Sequence, residues 1–211
     1  MAADAEHWNA VYGRREETSL SWHEGDAERS FRLVSGLVGP GERVIDVGGG
    51  TSRLVDRLVA AGLGPVTVLD LSDAALGLAK TRLGAAGEAV DWVEADVTGW
   101  QPAHSYQLWH DRAAFHFLTD PGDQRRYLAV MDAALAPGGH AILITFADDG
   151  PERCSGLPVQ RWSPEALAEA VSSALPGRFE AVEAERFAHL TPAGATQNFQ
   201  TSVFRKLREA R

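Results

Sequence analysis

Arg43-Val44-Ile45-Asp46-Val47-Gly48-Gly49-Gly50-Thr51-Ser52 is the stretch on which the fold turns. Its first half is a short β-branched run closed by an aspartate, which reads as a buried strand. Three glycines then end the strand and let backbone approach a neighbour or a ligand with no Cβ between them. Upstream, Gly39-Pro40-Gly41 breaks the chain. Downstream, from about Thr51, a helix carries Leu54, Val55, Leu58 and Val59 along one side. Strand, glycine turn and helix form the opening half of a βαβ unit.

The same alternation continues outward. Val66-Thr67-Val68-Leu69-Asp70 is a second strand, and Ser72 caps a helix with Ala75, Leu76, Ala79 and Leu83 aligned. Ala89 to Glu94 is a third strand and Tyr106 to His110 a fourth. A helix from Asp123 to Leu135 aligns Tyr127, Leu128, Met131 and Leu135; Pro137-Gly138-Gly139 is a turn, and His140 to Phe146 a fifth strand. Strands alternating with helices imply a doubly wound, mostly parallel sheet with helices on both faces.

The flanks differ. Residues 1–38 read as a helical cover in two pieces, Glu6 to Tyr12 and Asp26 to Val38, joined by a polar stretch holding Trp22 and His23. Ala147 to Trp162 has no clear period and reads as a loop or lid. Ser163-Pro164-Glu165 opens a helix with a cap and an N1 proline. Arg178 to Phe187 and Asn198 to Lys206 are two final strands with no helix between them, so they pair antiparallel. The expectation is an α/β fold of one domain, residues 1–211: a seven-stranded, mostly parallel sheet with an antiparallel edge strand.

Composition bounds the function. The chain has 211 residues, 45% of them hydrophobic and 23% charged, as in an ordinary soluble domain. A net charge of −9 argues against nonspecific nucleic-acid binding, which needs basic side chains to neutralise phosphates. The sequence offers no membrane span and no secretory leader, so a cytoplasmic location is expected. Cys154 is the one cysteine, and the seven histidines are scattered, so no metal site is expected. Nothing in the sequence sets the oligomeric state.

In an open parallel sheet, ligands bind beyond the carboxyl ends of the strands. Those ends are Asp46-Val47-Gly48-Gly49-Gly50, Asp70-Leu71-Ser72, Ala95-Asp96-Val97 and His110-Asp111-Arg112, each with an aspartate. A nicotinamide fingerprint needs G-x-G-x-x-G, but Gly48-x-Gly50-x-x-Arg53 lacks the third glycine. A phosphate loop needs a lysine before Ser/Thr, and none occurs before Lys80. Asp70, 24 residues after Asp46, suits two ribose hydroxyls, since an ionised carboxylate accepts through two oxygens. It would equally serve as a negative charge at a helix N-terminus.

With these motifs in order, the chain resembles the class I S-adenosylmethionine-dependent methyltransferases. The resemblance rests on Val44 to Ser52, Val68 to Ser72, Glu94 to Val97 and Leu135-Ala136-Pro137-Gly138-Gly139-His140, and spans about residues 40 to 146. Ser52 departs from the glycine common at the end of the first motif. The resemblance implies a Rossmann-like methyltransferase fold, with residues 40–146 the cofactor-binding core and 147–211 a substrate-side lid, helix and strands. It implies that Asp46, Gly48, Gly49 and Gly50 line the methionine end of S-adenosylmethionine. Asp70 would hold the ribose, Leu71 the adenine face, and Asp96 with Val97 the adenine amino group.

Methyl transfer from a sulfonium is an in-line displacement that requires alignment and exclusion of water, and no metal. The acceptor-side candidates are His110, Asp111 and His116 as catalytic groups and Arg112 as a substrate contact. An Asp111–Arg112 network and a core His116 are the structural alternative. Trp22 is expected to touch cofactor or substrate, and Trp8 and Cys154 to touch substrate. Packing is the structural alternative for all three, and the commoner role for a tryptophan on an amphipathic segment. The expected activity is methyl transfer to a small-molecule acceptor. A protein-lysine methyltransferase, a noncatalytic S-adenosylmethionine-binding protein and a nicotinamide oxidoreductase are the competing readings. Replacing Gly48 with valine is expected to abolish cofactor binding while sparing the fold.

Overall fold

The computed structural model describes residues 5–14 and 16–208. Seven strands form one sheet: β1 (Pro40–Val47), β2 (Gly64–Asp70), β3 (Val90–Glu94), β4 (Tyr106–Arg112), β5 (Leu135–Phe146), β8 (Phe179–Leu190) and β9 (Thr196–Lys206). A hairpin of β6 (Arg153–Cys154) and β7 (Leu157–Pro158) lies between β5 and β8 in the chain. The helices are α1 (Ala5–Arg14), α2 (Glu28–Ser35), α3 (Leu54–Ala60), α4 (Asp73–Leu83), α5 (Pro121–Ala134) and α6 (Pro164–Ala174). No helix among the described residues is long and apolar enough to cross a membrane.

The sheet order is β3-β2-β1-β4-β5-β9-β8. Strands β1 to β5 are parallel, and the order reverses between β1 and β4, which places the crevice at their carboxyl ends. The expected antiparallel pair is present at one edge: β9 runs antiparallel to both β5 and β8, and β8 is outermost. Strand alternation splits the core into two layers. Val44, Val66, Val68, Leu108 and Ile142 pack with α2 and α3 residues on one face. Ile45, Val47, Leu69, Trp109 and Leu143 pack with Tyr127, Leu128 and Met131 of α5 on the other.

Several boundaries differ from the sequence reading, three of them for reasons the contacts show. The helix expected from Thr51 starts at Leu54, because Arg82 holds the preceding turn, donating to the Thr51 and Ser52 carbonyls at 3.1 and 2.8 Å. The fifth strand starts at Leu135; the register jumps from Tyr106↔Leu135 to Leu108↔His140, so Pro137-Gly138-Gly139 forms a bulge with Gly138 at φ +86°. The unstructured lid contains the β6–β7 hairpin, whose two turn residues, Ser155 (φ +50°) and Gly156 (φ +79°), have the signs of a type I′ turn.

Candidate active site

The glycine turn after β1 is built by close contact. Gly48 has φ +64°, and a Cβ there would lie 2.6 Å from the Ala114 Cβ. A Cβ on Gly49 would meet Asp46 Oδ2 and Val68 Cγ1 at 2.8 Å each. Gly50, at φ +46°, sits against the Tyr12 hydroxyl and Asp70 Oδ2. A valine at position 48 would therefore strain the turn itself, which corrects the expectation that such a change spares the fold.

Beyond this turn lies a cleft of about 890 Å³ including its open mouth. One wall comes from the strand ends: Val47, Gly48, Asp70, Leu71, Ala95, Asp96 and Val97. The other wall is aromatic, with Trp8 and Tyr12 from α1, Trp22 from the following segment and Phe117 from the turn after β4. Their rings interlock: Trp8 meets Phe117 and Trp22 edge-on at 5.0 and 6.0 Å between centroids, and Tyr12 meets Trp22 edge-on at 6.3 Å. Helix α1 is held over the cleft by Asn9, whose side-chain oxygen accepts from Ser72 Oγ (2.7 Å) and the Ala74 N–H (3.2 Å) at the start of α4.

A second recess opens beside the glycine turn, lined by Tyr12, Glu24, Ser30, Asp46, Gly48, Gly49, Thr51, Arg53, His110 and Arg112 among others. Asp46 is 2% exposed. Its Oδ1 accepts from His110 Nδ1 at 2.7 Å, and its Oδ2 has no hydrogen-bond partner among the described residues.

Asp70 is buried, and its Oδ1 accepts the Ser72 N–H at 2.8 Å. Burial is the largest influence on its carboxyl and, against backbone hydrogen bonds that favour the anion, lifts it to about 6. Asp96 is exposed and accepts from the Thr98 N–H and hydroxyl, each at 2.8 Å. Arg112 spans both recesses; it donates to the Trp22 carbonyl and to Glu24 Oε1 at 2.9 Å each. Cys154, on β6, faces the cleft, and burial pushes its thiol up to about 11. Ala113 follows β4 at φ +70°, a left-handed non-glycine residue lining the cleft.

The three residues expected to be catalytic are separated by the structure. His110 faces the second recess and α2, its Nε2 3.0 Å from Ser30 Oγ. Asp111 points to the opposite face of the sheet, fully buried. There it accepts from the Ala114 and Phe115 N–H groups and from the Tyr127 hydroxyl at 2.6 Å. Burial raises its carboxyl to about 6. His116 is buried between Phe117 and Phe146, takes the Phe146 N–H on Nδ1 at 3.2 Å, and lines neither recess. Burial holds its ring down to about 3, so it stays neutral. Gly50 lines neither recess either; it shapes the turn from behind. Tyr12 and Ser30 are absent from the sequence-derived set. Tyr12 lies four residues after Trp8, which puts both on one face of α1, a spacing visible in the sequence.

With the geometry in view, comparison with known proteins places the chain. Residues 44–139 match a family model described as a methyltransferase domain. That segment carries a methyltransferase domain, and the fold around it is the Rossmann-like fold of S-adenosylmethionine-dependent methyltransferases. It is similar to the eEF1A lysine and N-terminal methyltransferase of Danio rerio, 24% identical over 152 residues. That match covers 70% of this chain, and the chain spans about a fifth of that relative's length (22%). Among solved structures it resembles one from work on the conversion of a disulfide bond into a thioacetal group during echinomycin biosynthesis: TM-score 0.75, 21% identity, covering 98% and 94% of the two chains. It also resembles the 1,6-didemethyltoxoflavin-N1-methyltransferase of Burkholderia thailandensis, solved with bound 1,6-didemethyltoxoflavin and S-adenosylhomocysteine: TM-score 0.69, 21% identity, covering 97% and 84%.

Proposed function

We propose that the protein transfers the methyl group of S-adenosylmethionine to a small-molecule acceptor with an apolar, planar portion. The observation that carries this reading is the pairing of two unlike walls across one cleft. Strand ends bearing Gly48, Asp70 and Asp96 face the rings of Trp8, Trp22 and Phe117. In this reading Asp70 takes the ribose hydroxyls, Leu71 and Val97 flank the adenine, and Asp96 accepts from its amino group. Gly48 and Gly49 bring the backbone of the turn beside the chain that leads to the sulfur, and Asp46 Oδ2, which has no hydrogen-bond donor among the described residues, fits the ammonium of the methionine end. S-adenosylmethionine supplies the methyl group already activated on a sulfonium.

The chain's own residues then align the acceptor and exclude water. Asn9 keeps α1 closed over the cleft, and the aromatic wall presents flat apolar surface. The wall supplies no free base: burial keeps the Cys154 thiol and the Tyr12 phenol protonated, and Arg112 is engaged by Glu24 and the Trp22 carbonyl. The acceptor atom therefore brings its own lone pair. We assign Asp111 and His116 to scaffolding, the first as an acceptor for the turn after β4 and for Tyr127, the second as a neutral ring in the core.

Calorimetry with S-adenosylhomocysteine, followed by an assay of its formation over panels of small thiols, amines, phenols and lysine-bearing proteins, tests the reading. Expected are saturable binding and turnover on small acceptors, with a pH–rate profile that follows the acceptor's own ionisation. Turnover confined to protein lysines, as the name of the Danio rerio relative suggests for that protein, would replace the small-molecule assignment. Binding with no turnover on any panel would favour a noncatalytic role.

A further inference from the structure

Among the described residues, the larger cleft is lined by two anions, Asp70 and Asp96, and one cation, Arg112. The proposed cofactor site takes both anions. The cation closes β4 and is tied to the aromatic wall: it donates to the Trp22 carbonyl at 2.9 Å and lies 5.4 Å from the centre of the Phe199 ring. We propose that Arg112 receives a carboxylate carried by the methyl acceptor, and that Glu24 holds that place until the acceptor arrives. The inference rests on the proposed methyl transfer to a planar small molecule and narrows its substrate class to acids.

The Arg112 side chain is 14% exposed; burial holds its guanidinium below the usual range, and Glu24 acts the other way. Such a cation needs a counter-ion at every stage of a reaction cycle, because a buried charge left unpaired is strongly destabilising. Glu24 supplies one, but through a single bond: Oε1 accepts from Nη2 at 2.9 Å, while Nη1 is spent on the Trp22 carbonyl. Guanidinium and carboxylate pair best through two parallel N–H···O bonds, so this pairing is incomplete. Glu24 is also placed to leave. It lies in irregular chain between the 3-10 turn Glu17–Ser19 and α2, directly before Gly25. It lines both the second recess and an open groove shared with Asp26, Arg29 and His189, and its Oε1 is 3.7 Å from His189 Nδ1. Turning into that groove gives Glu24 to water and opens the guanidinium to the cleft. An acid exchanges one carboxylate for another and leaves the buried charge neutralised. A neutral acceptor offers nothing in exchange, which makes the pair a device for discrimination.

The test measures, by calorimetry on the protein saturated with S-adenosylhomocysteine, the binding of three probe pairs that differ by a carboxylate: 2-mercaptobenzoate and thiophenol, anthranilate and aniline, salicylate and phenol. Wild type should prefer the acid by about tenfold or more in at least one pair. Glu24→Gln keeps the shape and removes the resident charge, so the acid no longer displaces a competitor and its preference should rise by about threefold or more. Arg112→Met should bring the preference to within about twofold of parity. Arg112→Lys, a point charge without the planar fork, should fall between wild type and Arg112→Met. The opposite signs at the two partners separate this exchange from a structural ion pair, whose loss from either side would weaken acid and neutral probes alike. No preference in the wild type, or a preference lowered by Glu24→Gln, would overturn the inference. A preference that survives Arg112→Met while S-adenosylhomocysteine binding falls would overturn it too, and would assign Arg112 to the cofactor. Failure of the wild type to bind S-adenosylhomocysteine would instead remove the proposed cofactor site itself, and this inference with it.

Discussion

Asp70 offers the most direct test of the cofactor site. It closes β2 with one oxygen on the Ser72 N–H at 2.8 Å, is 8% exposed, and faces the cleft. In Asp70→Asn the shape is kept, one acceptor becomes a donor, and the charge is lost. Hydrogen bonds to a charged group contribute about 1.5–3 kcal/mol, so S-adenosylhomocysteine affinity should fall by about 10- to 150-fold. The wild-type protein should also carry its own titration. Burial raises the carboxyl from 3.8 to about 6, so the two-oxygen acceptor is intact above pH 6 and protonates as the pH falls through it. Wild-type affinity should therefore weaken from pH 7 to pH 5, by at most about tenfold per pH unit, while the asparagine variant loses this contribution. Calorimetry at pH 8, 6.5 and 5.5 on both proteins reads both effects. A variant within twofold of wild type at pH 8 would refute the ribose assignment, and the same decline with pH in both proteins would refute the role of this carboxyl.

Other expected outcomes concern the frame. Gly48→Ala places a Cβ at positive φ and 2.6 Å from Ala114, and should cost about 2–5 kcal/mol in urea unfolding; an unchanged midpoint would contradict the close packing of the turn. Asp111→Ala strips the acceptor from Tyr127 and two backbone N–H groups and should cost about 2–4 kcal/mol. Because the Asp111 carboxyl is raised to about 6 in the fold, its contribution is fullest below pH 4 and declines through pH 6. The stability gap to the variant should narrow over that interval, and a widening gap would show the sign to be wrong. Arg82→Met removes a two-bond pairing with Asp56 and the anchors of Thr51 and Ser52, and should lower stability by about 2–4 kcal/mol, checked by thermal unfolding at fixed pH. Stability equal to wild type would mean the anchored turn contributes nothing.

The parallel sheet was legible because its strands are short β-branched runs ended by glycine or aspartate, and its helices show plain periodicity. Side-chain direction was less legible. His110, Asp111 and Arg112 read as one group at a strand end, yet alternation sends His110 toward Ser30 and Asp111 toward Tyr127. Which face receives which residue depends on the register against β1, and that depends on the whole sheet. His116 lies in a 3-10 turn whose orientation is set by Phe146, 30 residues later. Hydrophobic period cannot report such a contact. The β6–β7 hairpin escaped for the opposite reason: two residues a side are too few to show a period, though Ser155-Gly156 carried the turn signal.

The placement of β9 between β5 and β8 also bears on how the chain is assembled. Residues 179–190 leave the ribosome before residues 196–206, yet in the finished sheet they reach β5 only through that later segment. Until Lys206 emerges, β5 presents an open edge along the seven positions from His140 to Phe146, a template for pairing with foreign strands. Truncation within β9 would thus remove an interior plank of the sheet and strand the outermost one with no partner.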